Sequence, residues 1–118
     1  MNKVFASLKG ERTFEQVRKH GRYWRGQYVK LTIADNNEDI WRVGIVVSRK
    51  ASNKATARNK VRRRLKAILQ EEIRRFAENS RDMIVLVSGS AIQASYSQLK
   101  QDVAAALNMV ISKNLEKK

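Results

Sequence analysis

Apolar residues recur along the chain at spacings that predict three strands. Residues 27–34, QYVKLTIA, alternate polar and apolar positions, which is typical of a half-buried strand. Turn residues occupy 35–37, and the segment 40–50, IWRVGIVVSRK, predicts a second strand, so the pair predicts an antiparallel hairpin. The continuous apolar run at 81–89, RDMIVLVSG, is typical of a strand covered on both faces.

Helical spacing of apolar residues predicts three helices between and beside these strands. A short helix is expected over 12–21, RTFEQVRKHG, capped by Thr13 with Gln16 reaching back and ended by a left-handed Gly21. A long helix is expected over 56–78, with an apolar stripe formed by Val61, Leu65, Ile68, Leu69, Ile73 and Phe76.

The last helix is expected over 96–114, with a capping box formed by Ser95 and Gln98. Its core face consists of Leu99, Val103, Ala106, Leu107 and Val110. The resulting order is helix, hairpin, helix, strand, helix, which describes an α/β sandwich whose middle helix crosses between two strands. A chain of 118 residues is one domain's worth, so residues 1–118 are expected to form a single domain with the first and last few residues flexible.

The net charge limits the classes of partner that this domain is expected to bind. The formal net charge is +14, with 25 Lys and Arg against 11 Asp and Glu, and the sequence pI is about 10.7. Such an excess implies a polyanionic partner, either nucleic acid or an anionic membrane surface. Cysteine is absent, which excludes disulfides and thiolate metal sites, and no apolar run suggests a signal peptide or a bilayer span. A cytoplasmic location is therefore expected.

The cations concentrate on the first half of the long helix. Ten cations and no acid lie between Ile40 and Gln70. Arg58, Arg62 and Lys66 recur every four residues and form a ridge beside the apolar stripe, which Lys60, Arg63 and Arg64 widen. Like charges at this spacing repel, so the pattern favours cations kept free for phosphates over an ordinary solvated face.

Asn59 is compatible with two roles. Asn is a poor helix former that often caps a helix locally, and beside Arg58 its side chain could also hydrogen-bond a phosphate, a base edge or a hydrated metal ion. The residues alone leave both roles open.

The segment NKATARNKVRRRLK, residues 53–66, resembles a known signature. It is similar to that of the protein subunit of bacterial ribonuclease P, a small residue-x-Ala-Val-x-Arg-Asn-x-(Ile/Val)-Lys-Arg-x-(Leu/Ile)-Arg. The matching positions are Asn53, Ala55, Arg58, Asn59, Val61, Arg62, Arg63, Leu65 and Lys66. The flanks LKGERTFEQVRKHG, RVGIVVSRK and RDMIVLVSGSAIQASYSQLKQDVAAAL also resemble the family, so the match covers nearly the whole chain.

The resemblance implies a fold and a function. The fold would be like the second domain of ribosomal protein S5, with the order α-β-β-β-α-β-α and a left-handed β-α-β crossover through the motif helix. The function would be that of an RNA-binding subunit of an endoribonuclease that removes 5′ leaders from precursor tRNA. Catalysis and the catalytic Mg²⁺ would belong to the RNA subunit, so the isolated protein would be inactive, and it would be monomeric without RNA.

The resemblance also implies two binding surfaces. The motif helix would face the catalytic RNA and nearby metal ions, through Arg58, Asn59, Lys60, Arg62, Arg63, Arg64 and Lys66. A cleft between the opening helix and the sheet would hold the leader, with Phe14, Arg18, Tyr28 and Lys30 as its residues.

Three positions depart from the family pattern. Thr56 stands where Val is usual, Arg18 stands where a second aromatic is common, and the strand aromatic is missing near Leu31, where Tyr28 could serve instead. With Arg18 in that place, the leader is expected to be held more by charge and less by stacking.

No set of residues predicts catalysis by the protein alone. The one histidine, His20, precedes a helix-ending glycine, where a capping or surface role is expected. Asp35, Glu38 and Asp39 cluster in a turn, where Asp is common in any case, so no catalytic or metal-binding residue is expected in the protein. Two alternatives are a ribosomal or general RNA-binding protein without a processing role, and a membrane-surface protein, which the lack of a broad aromatic face disfavours.

Overall fold

The computed structural model describes residues 4–76 and 80–116 as one layer of sheet packed between helices. The elements in chain order are β1 (Phe5–Ser7), α1 (Glu11–His20), β2 (Arg22–Arg25), β3 (Val29–Asp35), β4 (Trp41–Val47), α2 (Ala55–Arg74), β5 (Arg81–Val87), a 3₁₀ turn (Gly89–Gln93) and α3 (Tyr96–Glu116). After β1, this is the α-β-β-β-α-β-α order implied by the resemblance, and the mixed α/β fold class is confirmed. Helix α2 ends at Arg74, so the predicted continuation of the helix is wrong at Arg75 and Phe76, which form a turn, and its predicted end at Glu78 lies outside the described residues.

The five strands form one sheet in the order β1-β4-β5-β3-β2. The predicted hairpin is wrong, because β5 lies between β3 and β4 and pairs with both. The apolar run of β5 favours this central place, where both strand edges are hydrogen-bonded. Helix α2 does connect two parallel neighbours, β4 and β5, as expected, and the hand of that crossover stays a prediction.

The larger core lies on the side of the sheet that α2 and α3 cover, called here the α2–α3 side. The buried residues of α2 include Val61, Leu65, Ile68, Leu69 and Ile73, which confirms five residues of the predicted apolar stripe, and the sixth, Phe76, follows the helix and packs partly buried against the same cluster. They form one cluster with Leu31 of β3, Val85 of β5 and Leu107 of α3. A smaller cluster of Leu8, Val17, Ala34 and Ile84 lies on the opposite side, called here the α1 side, where α1 covers only part of the sheet.

The ends of the helices correct part of the sequence analysis. Helix α1 begins at Glu11 after Gly10, whose φ of 93° is left-handed, so Thr13 is not its cap. Gly21 has an extended φ of −82°, and glycine is required there for space, because a Cβ would lie 2.5 Å from the Val17 carbonyl oxygen. The capping box before α3 is confirmed: the Ser95 N–H donates to Gln98 Oε1 at 2.9 Å and the Gln98 N–H donates to Ser95 Oγ at 3.1 Å.

None of the helices in the described ranges is both long enough and apolar enough to cross a bilayer.

Candidate nucleic-acid interface

Six cations and one asparagine of the motif lie on the outward half of α2, beside its buried stripe. The cations divide into two groups. Arg58, Arg62 and Arg64 are partly buried, whereas Lys60, Arg63 and Lys66 are exposed.

The three partly buried arginines have partners within the protein. Arg58 donates to the Ser52 carbonyl oxygen at 2.8 Å, which ties the loop before α2 to the helix. Arg64 donates to the Ala94 carbonyl oxygen at 3.0 Å, which ties α2 to the segment before α3. Part of the hydrogen-bond donor capacity of these two guanidinium groups is therefore used in bonds that stabilise the fold.

Arg62 and Asn59 bond to each other, with Arg62 Nη1 donating to Asn59 Oδ1 at 2.9 Å. The capping role for Asn59 is wrong, because α2 begins at Ala55 and Asn59 lies inside the helix. The amide N–H₂ of Asn59 has no acceptor among the described residues and Asn59 is exposed, so this group can donate to a ligand.

Lys60, Arg63 and Lys66 have neither a hydrogen-bond nor an ion-pair partner within the part of the chain that the structure describes. No acid lies in the first turn of α2, where one would complement both the cations and the helix dipole. We call the exposed face that carries these three cations the basic surface of α2. Its charge is uncompensated, which is the property that phosphate binding requires.

Phe14 holds α1 against the sheet. Its ring lies directly over Gly44 of β4, where a Cβ would meet Phe14 Cζ at 2.5 Å. The ring is partly buried against the smaller cluster, and the Arg18 guanidinium carbon lies 5.8 Å from its centroid. Phe14 and Arg18 thus lie together at a depression along α1, which Glu15 also lines.

A second depression joins α1 to the basic surface of α2. It is lined by Phe14 and Gly44 together with Arg62 and Lys66. Strand β1 pairs with β4 only as far as Val43, so the edge of β4 beyond Val43 has no neighbouring strand there. The depression lies along this edge. The two predicted surfaces, on the motif helix and beside the opening helix, therefore adjoin each other at Phe14.

Tyr28 and Lys30 both line a depression where β3 begins, together with Arg25 and Leu86, and Tyr28 also packs against the larger cluster. Phe14 and Arg18 line a different depression, along α1, so the four residues of the predicted cleft divide between two depressions. Lys30 points to the α1 side, where its Nζ lies 4.4 Å from the centroid of the Tyr23 ring. Tyr23 was missed because β2 has only four residues, RYWR, and their alternation is too short to mark a strand from sequence.

The carboxylates of the turn after β3 serve the structure. Asp35 pairs with Arg81 at 2.9 Å, and Asn36 donates to Asp82 at 2.7 Å. The pKa of Arg42 is raised by its side-chain hydrogen bond to Asp82, which is buried and also accepts from Arg42 at 2.6 Å. Among residues 4–76 and 80–116 no three His, Cys, Asp or Glu side chains gather as metal ligands would. His20 is exposed in the last turn of α1.

Comparison with known proteins assigns this arrangement to a family. A profile of the family described as Ribonuclease P matches residues 3–111. The chain is 48% identical over 101 residues to the ribonuclease P protein component of Thermus brockianus, covering 86% of this chain and 57% of the relative's length. It is 33% identical over 97 residues to that of a Pseudanabaena species, covering 81% of this chain and 83% of the relative.

Solved structures give the same answer for the fold. The ribonuclease P protein of Thermotoga maritima matches with a TM-score of 0.73 at 25% identity, covering 88% of this chain and 94% of that one. The Staphylococcus aureus ribonuclease P protein matches with a TM-score of 0.76 at 22% identity, covering 87% and 93%. The family profile spans most of the chain and the relatives agree with it, so this chain belongs to the family of ribonuclease P protein components.

Proposed function

We propose that this chain is the RNA-binding subunit of a ribonuclease P that removes the 5′ leader from precursor tRNA. It would act by binding the catalytic RNA and the leader at the same time. The observation that carries the proposal is the depression shared by Phe14, Arg62 and Lys66, because it joins the basic surface of α2 to the α1 side of the sheet without a break.

The basic surface of α2 is assigned to the catalytic RNA. Lys60, Arg63 and Lys66 are mounted on a rigid helix, and none of them must break an internal ion pair before it meets a phosphate. Each phosphate neutralised releases condensed counterions, so binding should weaken steeply as salt rises. The Asn59 amide, oriented by Arg62, can donate to a phosphate or a base edge at the same surface.

The α1 side is assigned to the leader. An unpaired strand leaving the tRNA near α2 would pass Phe14 and Arg18 and continue over the part of the sheet that α1 leaves uncovered. Grooves for single strands combine cations that follow the backbone with apolar or aromatic surface for the bases, and this side offers both.

Mg²⁺ is assigned mainly to the RNA subunit, which would perform the cleavage. The isolated protein is therefore expected to be inactive as a nuclease. In the complex its own residues would bind the leader, orient the precursor and screen phosphate repulsion, which lowers the Mg²⁺ concentration that the RNA needs.

The test is the cleavage of precursor tRNA by a bacterial ribonuclease P RNA at low Mg²⁺, with and without this protein. The proposal expects cleavage at the 5′ end of the mature tRNA to depend on the protein under these conditions. Binding of the RNA without any change in cleavage would contradict it. A protein preparation shown to be free of RNA should cleave nothing, and Mg²⁺-dependent cleavage by that preparation would refute the division of roles.

A further inference from the structure

The uncovered part of the α1 side presents the two exposed large hydrophobic side chains of the sheet strands in the described residues. Tyr23 of β2 is 64% exposed and Leu86 of β5 is 43% exposed. Both point to the α1 side, because Tyr23 pairs with Thr32 and Leu86 with Lys30, and these two residues alternate with the buried Leu31. A single exposed aromatic is ordinary on a protein surface, so the neighbours of Tyr23 decide what it means.

The neighbours form a row across four strands. Register places Val46 of β4, Leu86 of β5, Lys30 of β3 and Arg25 of β2 side by side. Strands lie about 4.8 Å apart, so the row spans about 14 Å. The row is apolar on β4 and β5, at Val46 and Leu86. It is cationic on β3 and β2, at Lys30 and Arg25, which is the end nearer Tyr23.

Tyr23 is held in one orientation and remains open on one face. Lys30 is its diagonal cross-strand neighbour, and the Lys30 ammonium lies 4.4 Å from the ring centroid. At 64% exposure, the ring still offers its other face to solvent. A ring fixed in this way loses little side-chain freedom when a flat ligand stacks on it.

The charge around the ring suits a polyanion. Arg25 is exposed and Lys30 partly buried beside Tyr23, and no acid belongs to the row. The acids of the strands, Asp35 and Asp82, lie at the opposite end of the sheet and are paired with Arg81 and Arg42.

We propose that Tyr23 is a stacking platform for an unpaired RNA base, with Lys30 and Arg25 binding the adjacent phosphates. That the RNA is the 5′ leader rests on the proposed function. In this chain the platform would supply the stacking that Arg18 cannot supply from α1. Leu86 and Val46 would then bear the next base or sugar toward α2.

The experiment measures binding of the full chain to a single-stranded RNA of about ten nucleotides, within the range of known single-strand sites, by fluorescence anisotropy. The RNA carries 2-aminopurine at one position at a time, whose emission falls when the base stacks. Tyr23→Ala is compared with Tyr23→Phe, which keeps the ring, and with Tyr96→Ala, which removes another exposed tyrosine at the start of α3.

Tyr23→Ala is expected to weaken binding at least about fivefold, at the low end of what stacking one base contributes, and to abolish the emission change at one position. Tyr23→Phe should bind within about twofold of wild type, since the stacking face remains. Tyr96→Ala should change nothing. The loss in Tyr23→Ala should persist at high salt, whereas a loss in Lys30→Gln should shrink.

Unchanged binding by Tyr23→Ala, or an equal loss in Tyr96→Ala, would overturn the inference. Precursor cleavage measured in parallel separates it from the proposed function. A protein that still stimulates cleavage while Tyr23→Ala binds RNA normally refutes the platform alone. A Tyr23-dependent site in a protein that stimulates no cleavage supports the platform and refutes the processing role.

Discussion

Asp102 of α3 holds the segment that leads into β3. Its carboxylate accepts the backbone N–H groups of Gln27, Tyr28 and Val29 at 3.1, 3.0 and 3.0 Å. Glycine at 26 allows this approach, because a Cβ there would lie 2.3 Å from Asp102 Oδ1. The buried carboxylate of Asp102 therefore serves the backbone.

Replacing Asp102 with Ala should lower the free energy of unfolding by about 2–4 kcal/mol, because three N–H groups lose a charged acceptor. Asp102→Asn should lose less, since one amide oxygen can keep the two bonds now made by Oδ2. Urea denaturation measures both. The exposed Asp39→Ala serves as the control and should stay within about 0.5 kcal/mol of wild type. An Asp102→Ala protein as stable as that control would contradict the assignment.

Gly44 and Phe14 lie in contact, so substitutions at the two positions should have coupled effects on the free energy of unfolding. Gly44→Ala places a methyl group in the space of the Phe14 ring and should destabilise the fold by about 1–3 kcal/mol. Phe14→Leu removes the outer ring atoms, so the double variant should lose less than the sum of the two single losses, by about 0.5 kcal/mol or more. Thermal or urea unfolding of the four proteins completes the cycle, and strictly additive losses would show that the two residues do not meet.

At the scale of elements, α2 carries two different surfaces in one helix. Its first half presents the basic surface, and its second half mixes Arg74 and Arg75 with Glu71 and Glu72, of which Glu71 pairs with Lys100 of α3 at 2.8 Å. One arginine from each half gives a matched comparison, because Arg63 and Arg74 are both exposed and neither has a hydrogen-bond or ion-pair partner among the described residues.

Arg63→Ala should lower the salt slope of catalytic-RNA binding by about one unit, and Arg74→Ala should leave it unchanged. The triple variant of Lys60, Arg63 and Lys66 to Ala should lower it by roughly two to three units. Stability should stay within about 0.5 kcal/mol, since these side chains are exposed and make no hydrogen bond or ion pair with the described residues. The measurement is the binding constant over a series of salt concentrations. Equal salt slopes for Arg63→Ala and Arg74→Ala would mean that RNA binding depends on the net charge of the protein and not on the position of the cation on α2.

The elements also show what the sequence could predict. Helices α2 and α3 were predicted within a few residues at the ends that are described, because periodicity and the Ser95–Gln98 box are local signals. The hairpin was wrong because the turn at 35–40 has the same chemistry whether it joins neighbours or spans an intervening strand. Strands β1 and β2, with three and four residues, are too short to leave a pattern.

For the candidate site, too, the sequence predicted the local features but not those that depend on the folded arrangement. Helical spacing was enough to place the cations of α2 on one face. It could not show that Arg58 and Arg64 are tied to the fold, since their partners are backbone carbonyls at Ser52 and Ala94, outside the helix. Nor could it show that Tyr28 and Lys30 line a different depression from Phe14 and Arg18, because that depends on strand register and on where α1 packs on the sheet.

At the scale of the whole molecule, the net charge of +14 would attract any RNA, so the proposed preference for precursor tRNA must come from particular residues. Arg18 lines the depression beside Phe14, whereas Arg12 of the same helix does not. Arg18→Ala should reduce the preference of the holoenzyme for precursor over mature tRNA by about five- to tenfold at 0.1 M salt, the effect of about one phosphate contact.

Arg12→Ala should keep the preference of wild type, and the difference between the two variants should shrink as salt rises. Binding constants for precursor and mature tRNA at several salt concentrations measure both effects. If Arg18→Ala lowers the affinity for precursor and mature tRNA equally, Arg18 does not contact the leader.

The central position of β5 has a consequence for how the chain assembles in time. During synthesis the chain emerges from its N-terminus, and β5 is the last strand of the sheet to be made. Before then, β4 has only the three residues of β1 as a partner and β3 only the four of β2, and two-stranded ribbons of this size are marginal in water. Helix α2 is likewise complete before the strand that finishes its packing surface. Synthesis past Val87 therefore allows the two short ribbons to join into one sheet, and α3, made afterwards, completes the larger core. A nascent chain that stops before Arg81 should remain unfolded.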